Sequence, residues 1–204
     1  MINLKQEIVN IQKLKSMGLL SKPEFTDYWN GIIQYLNGSD AELSKFVSHY
    51  AGTELLSQIH EMWREEIGTS YLVLYRGFHW NLKDDEYDHK NGGEAYKLLS
   101  LPKGSKTTFS KSAEYPFQHW TTKQSVTYDF ARLNANGSAV TKGTQGIIIK
   151  ANVPTKLVMF ATDYLDSKLM PSAMHHYLNE HEVIVWHMES LEVEVVVNSL
   201  GHQF

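Results

Sequence analysis

Three short groups of residues in this 204-residue chain have the side chains for chemistry. The first is Arg76-Gly77, at the end of the apolar run Tyr71-Leu72-Val73-Leu74-Tyr75. A cation in a buried strand is costly unless paired. A guanidinium there offers a planar fork of donors suited to phosphate, and the following glycine permits close approach to the backbone. Arg76 would serve equally as half of a structural salt bridge. The second group is His119-Trp120-Thr121-Thr122, ahead of a helical pattern containing Phe130-Ala131. A hydroxyl-bearing strand leading into a helix can set polar groups under a ligand, although threonine is also common in strands. The third is Glu180-His181-Glu182, leading into Val183-Ile184-Val185-Trp186. On a strand, residues i and i+2 face the same side, which would put two carboxylates roughly 7 Å apart. Like charges so placed repel and raise one pKa. Such a pair suits glycosidic-bond chemistry, in which one carboxylate stabilises an oxocarbenium-like sugar and the other handles a proton. The plain alternative is a solvent-facing strand end.

Other common chemistries are missing from the sequence. It has no Gly-x-x-x-x-Gly-Lys-Ser/Thr phosphate loop, no Gly-x-Gly-x-x-Gly fingerprint and no Gly-x-Ser-x-Gly elbow. His175, His176, His181 and His187 cluster, but not as His-Glu-x-x-His, so no metal site is expected. With no cysteine there is no disulfide, thiolate metal site or cysteine nucleophile.

The elements that must position these groups change character near residue 70. Ile2, Ile8, Ile11, Leu14 and Met17 recur at helical spacing before Gly18. Ser21-Lys22-Pro23-Glu24 is a capping-box pattern opening a helix through Tyr28, Trp29 and Ile32 to Gly38. Ser39-Asp40-Ala41-Glu42 repeats it, leading through Leu43, Phe46 and Val47 to Gly52. Thr53 is placed to cap a further helix through Leu55, Ile59 and Trp63 to Gly68. Strand patterns follow at 71–78, 117–122, 147–153, 157–160, 182–187 and 191–197, with one helix over 123–133. Residues 80–106 and 134–146 read as loops, and 161–178 as irregular. The expected fold class is α+β: a helical N-terminal region over 1–69 and a mostly antiparallel β core over 70–204.

Composition is that of a globular chain, with 42% hydrophobic and 21% charged residues. No apolar run approaches the roughly 20 residues that cross a bilayer, and the amino-terminal stretch lacks a signal-peptide core. No membrane association and a cytoplasmic location are therefore expected. The net charge of −4 gives no argument for a nucleic-acid binder. Its distribution is uneven. Residues 103–156 carry eight Lys/Arg against Glu114 and Asp129, whereas 157–204 carry Lys168 against seven Asp/Glu. A basic middle segment suits an anionic ligand, and an acidic final segment can supply carboxylates.

The order aromatic-Arg76-Gly77, then a Thr-bearing strand before Phe130-Ala131, then Glu180-x-Glu182, resembles the mono-ADP-ribosyltransferases of the Arg-Ser-Glu class. With its helical front, the chain is most similar to the small Mod-type enzymes of T-even bacteriophages. The resemblance implies a split β core holding NAD, used as substrate without a metal. It implies that Arg76 holds the NAD phosphates and ribose, that the Gly77 backbone meets the nicotinamide amide, and that Phe130 packs at the nicotinamide end. Residues 134–146 would cover the phosphates. Glu182 would be the catalytic glutamate, and Glu180 would orient or deprotonate the acceptor. Tyr164 and Tyr177 would lie in the target-recognition loop. The family's Ser-Thr-Ser element falls on His119 and Thr121, so a histidine stands where the family has its first serine; a slipped register would give that role to Thr121 or Thr122. The implied activity is transfer of ADP-ribose to a host macromolecule in a bacterial cytoplasm. Protein arginine is the expected acceptor, with transcription or translation machinery as a target class and RNA as a further one. NAD glycohydrolysis and a non-catalytic binding role are the alternatives.

Overall fold

The computed structural model describes residues 23–36, 41–81, 98–109, 117–164, 179–186 and 190–199. Among these residues the architecture is α+β, with four α-helices and a seven-stranded antiparallel sheet. The helices are α1 (Pro23–Leu36), α2 (Ala41–Tyr50), α3 (Glu54–Ile67) and α4 (Gln124–Phe130). The strands are β1 (Tyr71–Asn81), β2 (Lys106–Phe109), β3 (Phe117–Thr121), β4 (Thr144–Pro154), β5 (Val158–Ala161), β6 (Glu182–Trp186) and β7 (Leu191–Asn198). The helical segment expected over 2–17 lies outside the described residues.

The chain forms two compact units. One joins residues 1–70 to 155–184, and the other joins 71–154 to 185–204. The change of period at residue 70 is thus a real boundary, but the chain crosses it again near 154 and 184. Residues 155–161, which the sequence groups with the β core, pack against α3.

In the first unit, α3 turns Leu55, Leu56, Ile59, Met62 and Trp63 inward, all buried. Trp63 meets Phe160 of β5 edge-on at 5.6 Å between ring centroids. Its indole N–H donates to the Tyr28 hydroxyl at 2.9 Å, and that hydroxyl donates to the Met159 carbonyl. Burial raises the Tyr28 phenol pKa well above its usual value, so it serves here as a neutral donor. The cap of α3 differs from expectation. Thr53 has extended backbone angles, but its hydroxyl turns back to donate to the Tyr50 carbonyl at 2.7 Å rather than capping the helix ahead.

In the second unit the strands lie in the order β2-β7-β4-β1-β3. β1 and β4 run antiparallel in unbroken register from Tyr71↔Pro154 to Asn81↔Thr144. Strand β2, which no strand pattern announced, begins at Lys106, the last residue of the segment read as a loop; it pairs with β7 from Lys106↔Glu194 to Phe109↔Leu191. Likewise β4 begins at Thr144, shortening the expected loop. That loop is a tight hairpin: Asn134 N–H donates to the Ser138 carbonyl and Gly137 N–H to the Asn134 carbonyl, each at 2.8 Å. Helix α4 ends at Phe130, three residues before the expected end, because Arg132 takes φ 50° and turns the chain into the hairpin.

Candidate functional site

Strand alternation sorts the predicted residues of the second unit onto two faces of the sheet. Arg76, half-buried, shares its face with Phe78. Its guanidinium carbon lies 4.8 Å from the Phe78 ring centre and 5.8 Å from that of Phe109. Phe109 in turn meets Trp120 edge-on. Arg76 therefore sits among aromatic rings, a setting that favours a cation.

Gly77 points the other way, toward α4. A Cβ built there would lie 2.4 Å from the Thr127 carbonyl oxygen and 3.0 Å from the Ala131 nitrogen. Gly146, opposite His79 in the ladder, makes room for the residues just after α4: a Cβ there would lie 2.2 Å from the Ala131 carbonyl oxygen. The missing side chain at Gly77 thus admits the helix backbone. His79, on the same face as Gly77, donates from Nδ1 to the Phe130 carbonyl at 2.9 Å and fastens the end of α4. Because Thr121 is paired with Tyr75, Thr121 and His119 belong to the Gly77 face. Thr121 is buried and accepts the Lys123 N–H at 3.1 Å; His119 packs against the Phe117 ring at 5.5 Å. Phe130 is 49% exposed at the end of α4. The structure therefore groups His119, Thr121, Gly77 and Phe130 on one face and leaves Arg76 on the other.

The hairpin expected to cover phosphates forms one wall of a cleft of about 410 Å³. Asn136 and Gly137 face Lys103, Tyr128 of α4 and Asn198 across it. Asn198 is fully engaged in holding the adjoining segment: its amide N–H groups donate to the Leu99 and Leu101 carbonyls, and its carbonyl accepts from Gln145. Lys103 is exposed and is the cation of this cleft.

The acidic residues belong to the first unit. Strand β6 starts at Glu182, whereas Glu180 has helical backbone and His181 takes φ 50° between them. The same-side spacing expected for two carboxylates on one strand therefore does not apply. Glu182 is half-buried at the head of β6. Its Oε1 accepts a hydrogen bond from the Tyr35 hydroxyl of α1, and its backbone carbonyl accepts from the Thr162 hydroxyl at 3.2 Å. One residue back, His181 Nδ1 lies 2.5 Å from Asp163 Oδ1. Asp163 is in the single 3-10 turn Thr162–Tyr164 that follows β5. The side chains of His181 and Asp163 are 32% and 27% exposed, so solvent reaches both. Tyr164, in the same turn, has its phenol pKa raised by burial and then by the negative Asp163. Tyr177 lies outside the described residues.

Tyr35 and Asp163 were not legible as site residues. Tyr35 is 147 positions from Glu182, and Asp163 is 18 positions from His181, so no local spacing links them. The one local signal was His181 itself, between two glutamates at the start of a strand pattern. Among the described residues, no group of three or more His, Cys, Asp or Glu is placed to hold a metal ion, and no helix is long and apolar enough to cross a membrane. The sequence matches no protein-family model, no curated protein and no solved structure.

Proposed function

We propose that this protein is a mono-ADP-ribosyltransferase that cleaves NAD at the nicotinamide glycosidic bond and transfers ADP-ribose to a macromolecule, with protein arginine as the acceptor. The observation that carries this reading is the Glu182 carboxylate, held at the head of β6 by the Tyr35 hydroxyl with its own backbone tied to Thr162. A carboxylate fixed in this way is suited to stabilise positive charge developing on a ribose as nicotinamide leaves with the C–N electron pair. Arg76 supports the reading as a cation seated on aromatic rings, with a donor fork of the kind that binds a diphosphate. His119 and Thr121, to which the resemblance gives cofactor roles, lie on the sheet face opposite Arg76. The expected setting is a bacterial cytoplasm, with host proteins of transcription or translation as targets.

The test uses NAD labelled in its adenylate half, incubated with bacterial lysate and either wild-type protein or Glu182→Gln. Wild type is expected to label protein bands. Glu182→Gln is expected to lose about 100-fold or more of that rate, as for removal of a transition-state charge partner. Labelled RNA would change the acceptor class. Nicotinamide and free ADP-ribose without labelled bands would make the protein an NAD glycohydrolase. No nicotinamide release from folded wild-type protein would refute the proposal in favour of a non-catalytic binding role.

A further inference from the structure

Beside Glu182 the structure holds a second arrangement with the geometry of proton transfer. Asp163 Oδ1 lies 2.5 Å from His181 Nδ1, and both side chains reach solvent. A carboxylate cannot donate, so the ring N–H is on Nδ1 and Nε2 is the acceptor nitrogen of the imidazole. This is the relation in which a carboxylate fixes the tautomer of a histidine base and stabilises the imidazolium that forms when it takes a proton. The backbone supports the same reading. His181 is held at φ 50°, a left-handed conformation that a histidine adopts at a cost of about 1 kcal/mol or more. This conformation turns the chain between Glu180 and Glu182, and the His181 side chain meets the Asp163 carboxylate.

Resting on the proposed function above, we infer that the Asp163–His181 pair is the general base for the acceptor, the task the resemblance assigns to Glu180. In this step the acceptor's N–H gives its proton to His181 Nε2 as its nitrogen forms a bond to the ribose C1. The C1–nitrogen bond to nicotinamide breaks, and its electron pair leaves with the now neutral ring. The Asp163 carboxylate, bonded to Nδ1, stabilises the imidazolium until the proton passes to water. The titratable groups around the histidine among the described residues are Asp163 and Tyr164 on the 3-10 turn, Glu180 and Glu182 on its own segment, and Tyr35 on Glu182.

The experiment compares wild type, His181→Gly and Glu180→Gln in the labelled-NAD transfer assay with lysate, across pH and with added imidazole. Glycine accepts φ 50° without strain and leaves room for imidazole. Wild-type transfer should fall at acid pH through a single ionisation. His181→Gly should be about 100-fold slower or worse, lose that ionisation and regain rate with imidazole. Glu180→Gln should keep it. A His181→Gly variant with the wild-type rate and pH profile overturns the inference while leaving the proposed function intact. So does a slow variant that imidazole does not restore, or loss of the acid limb in Glu180→Gln. Wild type that releases no nicotinamide overturns both.

Discussion

His60 offers the sharpest physical test of the unit that carries Glu182. It lies on α3, 7% exposed, with Nδ1 donating to the Val158 carbonyl of β5 at 2.9 Å. Burial disfavours its charged form and lowers its pKa from 6.5 to about 4, with the bond to Val158 opposing that shift only in part. The unfolded chain therefore takes up the proton first as pH falls. His60 supports the fold fully above its unfolded pKa, and that support drains away as pH falls from 6.5 toward 4. With those two pKa values, the linkage relation puts the loss between pH 7 and pH 5 at about 2 kcal/mol. That is a large share of a typical total of about 5–15 kcal/mol. At pH 5 most carboxylates are still ionised, with ordinary pKa values of about 4, so acid titration of Asp and Glu contributes little. The assay is chemical denaturation at the two pH values for wild type and His60→Asn. Asparagine keeps an N–H donor near the Nδ1 position but does not titrate. The variant should be less stable at pH 7, where it leaves a small void, yet its drop on going to pH 5 should be smaller than wild type's by about 2 kcal/mol. Equal drops in the two proteins would refute the assignment of His60 as a buried neutral histidine.

Four further outcomes are expected. Gly77→Ala should destabilise by about 1–3 kcal/mol, because its Cβ would lie 2.4 Å from a backbone oxygen of α4; a thermal midpoint unchanged from wild type would contradict this. Gly146→Ala should behave alike, and the double variant should deviate from additivity because both glycines make room for Ala131, which a double-mutant cycle reads directly. Tyr35→Phe should lower turnover by about tenfold, since a hydrogen bond to a charged group contributes about 1.5–3 kcal/mol; turnover equal to wild type would remove Tyr35 from the site. His119→Ala should slow transfer less than Glu182→Gln, and equal, unimpaired rates in both variants, measured with labelled NAD, would sink the assignment of Glu182.

Much of the scaffold was legible in the sequence. Helices α1, α2 and α3 follow from apolar spacing, and six of the seven strands follow from short strand patterns, because both signals are local. Strand β2 was missed because Lys106-Thr107-Thr108-Phe109 is polar and short, and gains its order from pairing with β7. The early end of α4 was missed because Arg132 adopts an uncommon backbone angle that no residue type announces.

The candidate site divides in the same way. The sequence by itself determined that the chain folds as α+β, that it has no thiol to offer, and that Glu182 opens β6. Those are properties of residue type and short-range period. Only the tertiary structure decided that Arg76 and His119 occupy opposite faces, since that depends on the register Tyr75↔Thr121 between strands far apart in the chain. It alone decided that the space at Gly77 belongs to α4. It alone joined Tyr35 to Glu182 and Asp163 to His181. Such pairings arise when separate elements pack, and a hydrogen bond between distant residues leaves no periodicity in the sequence to read.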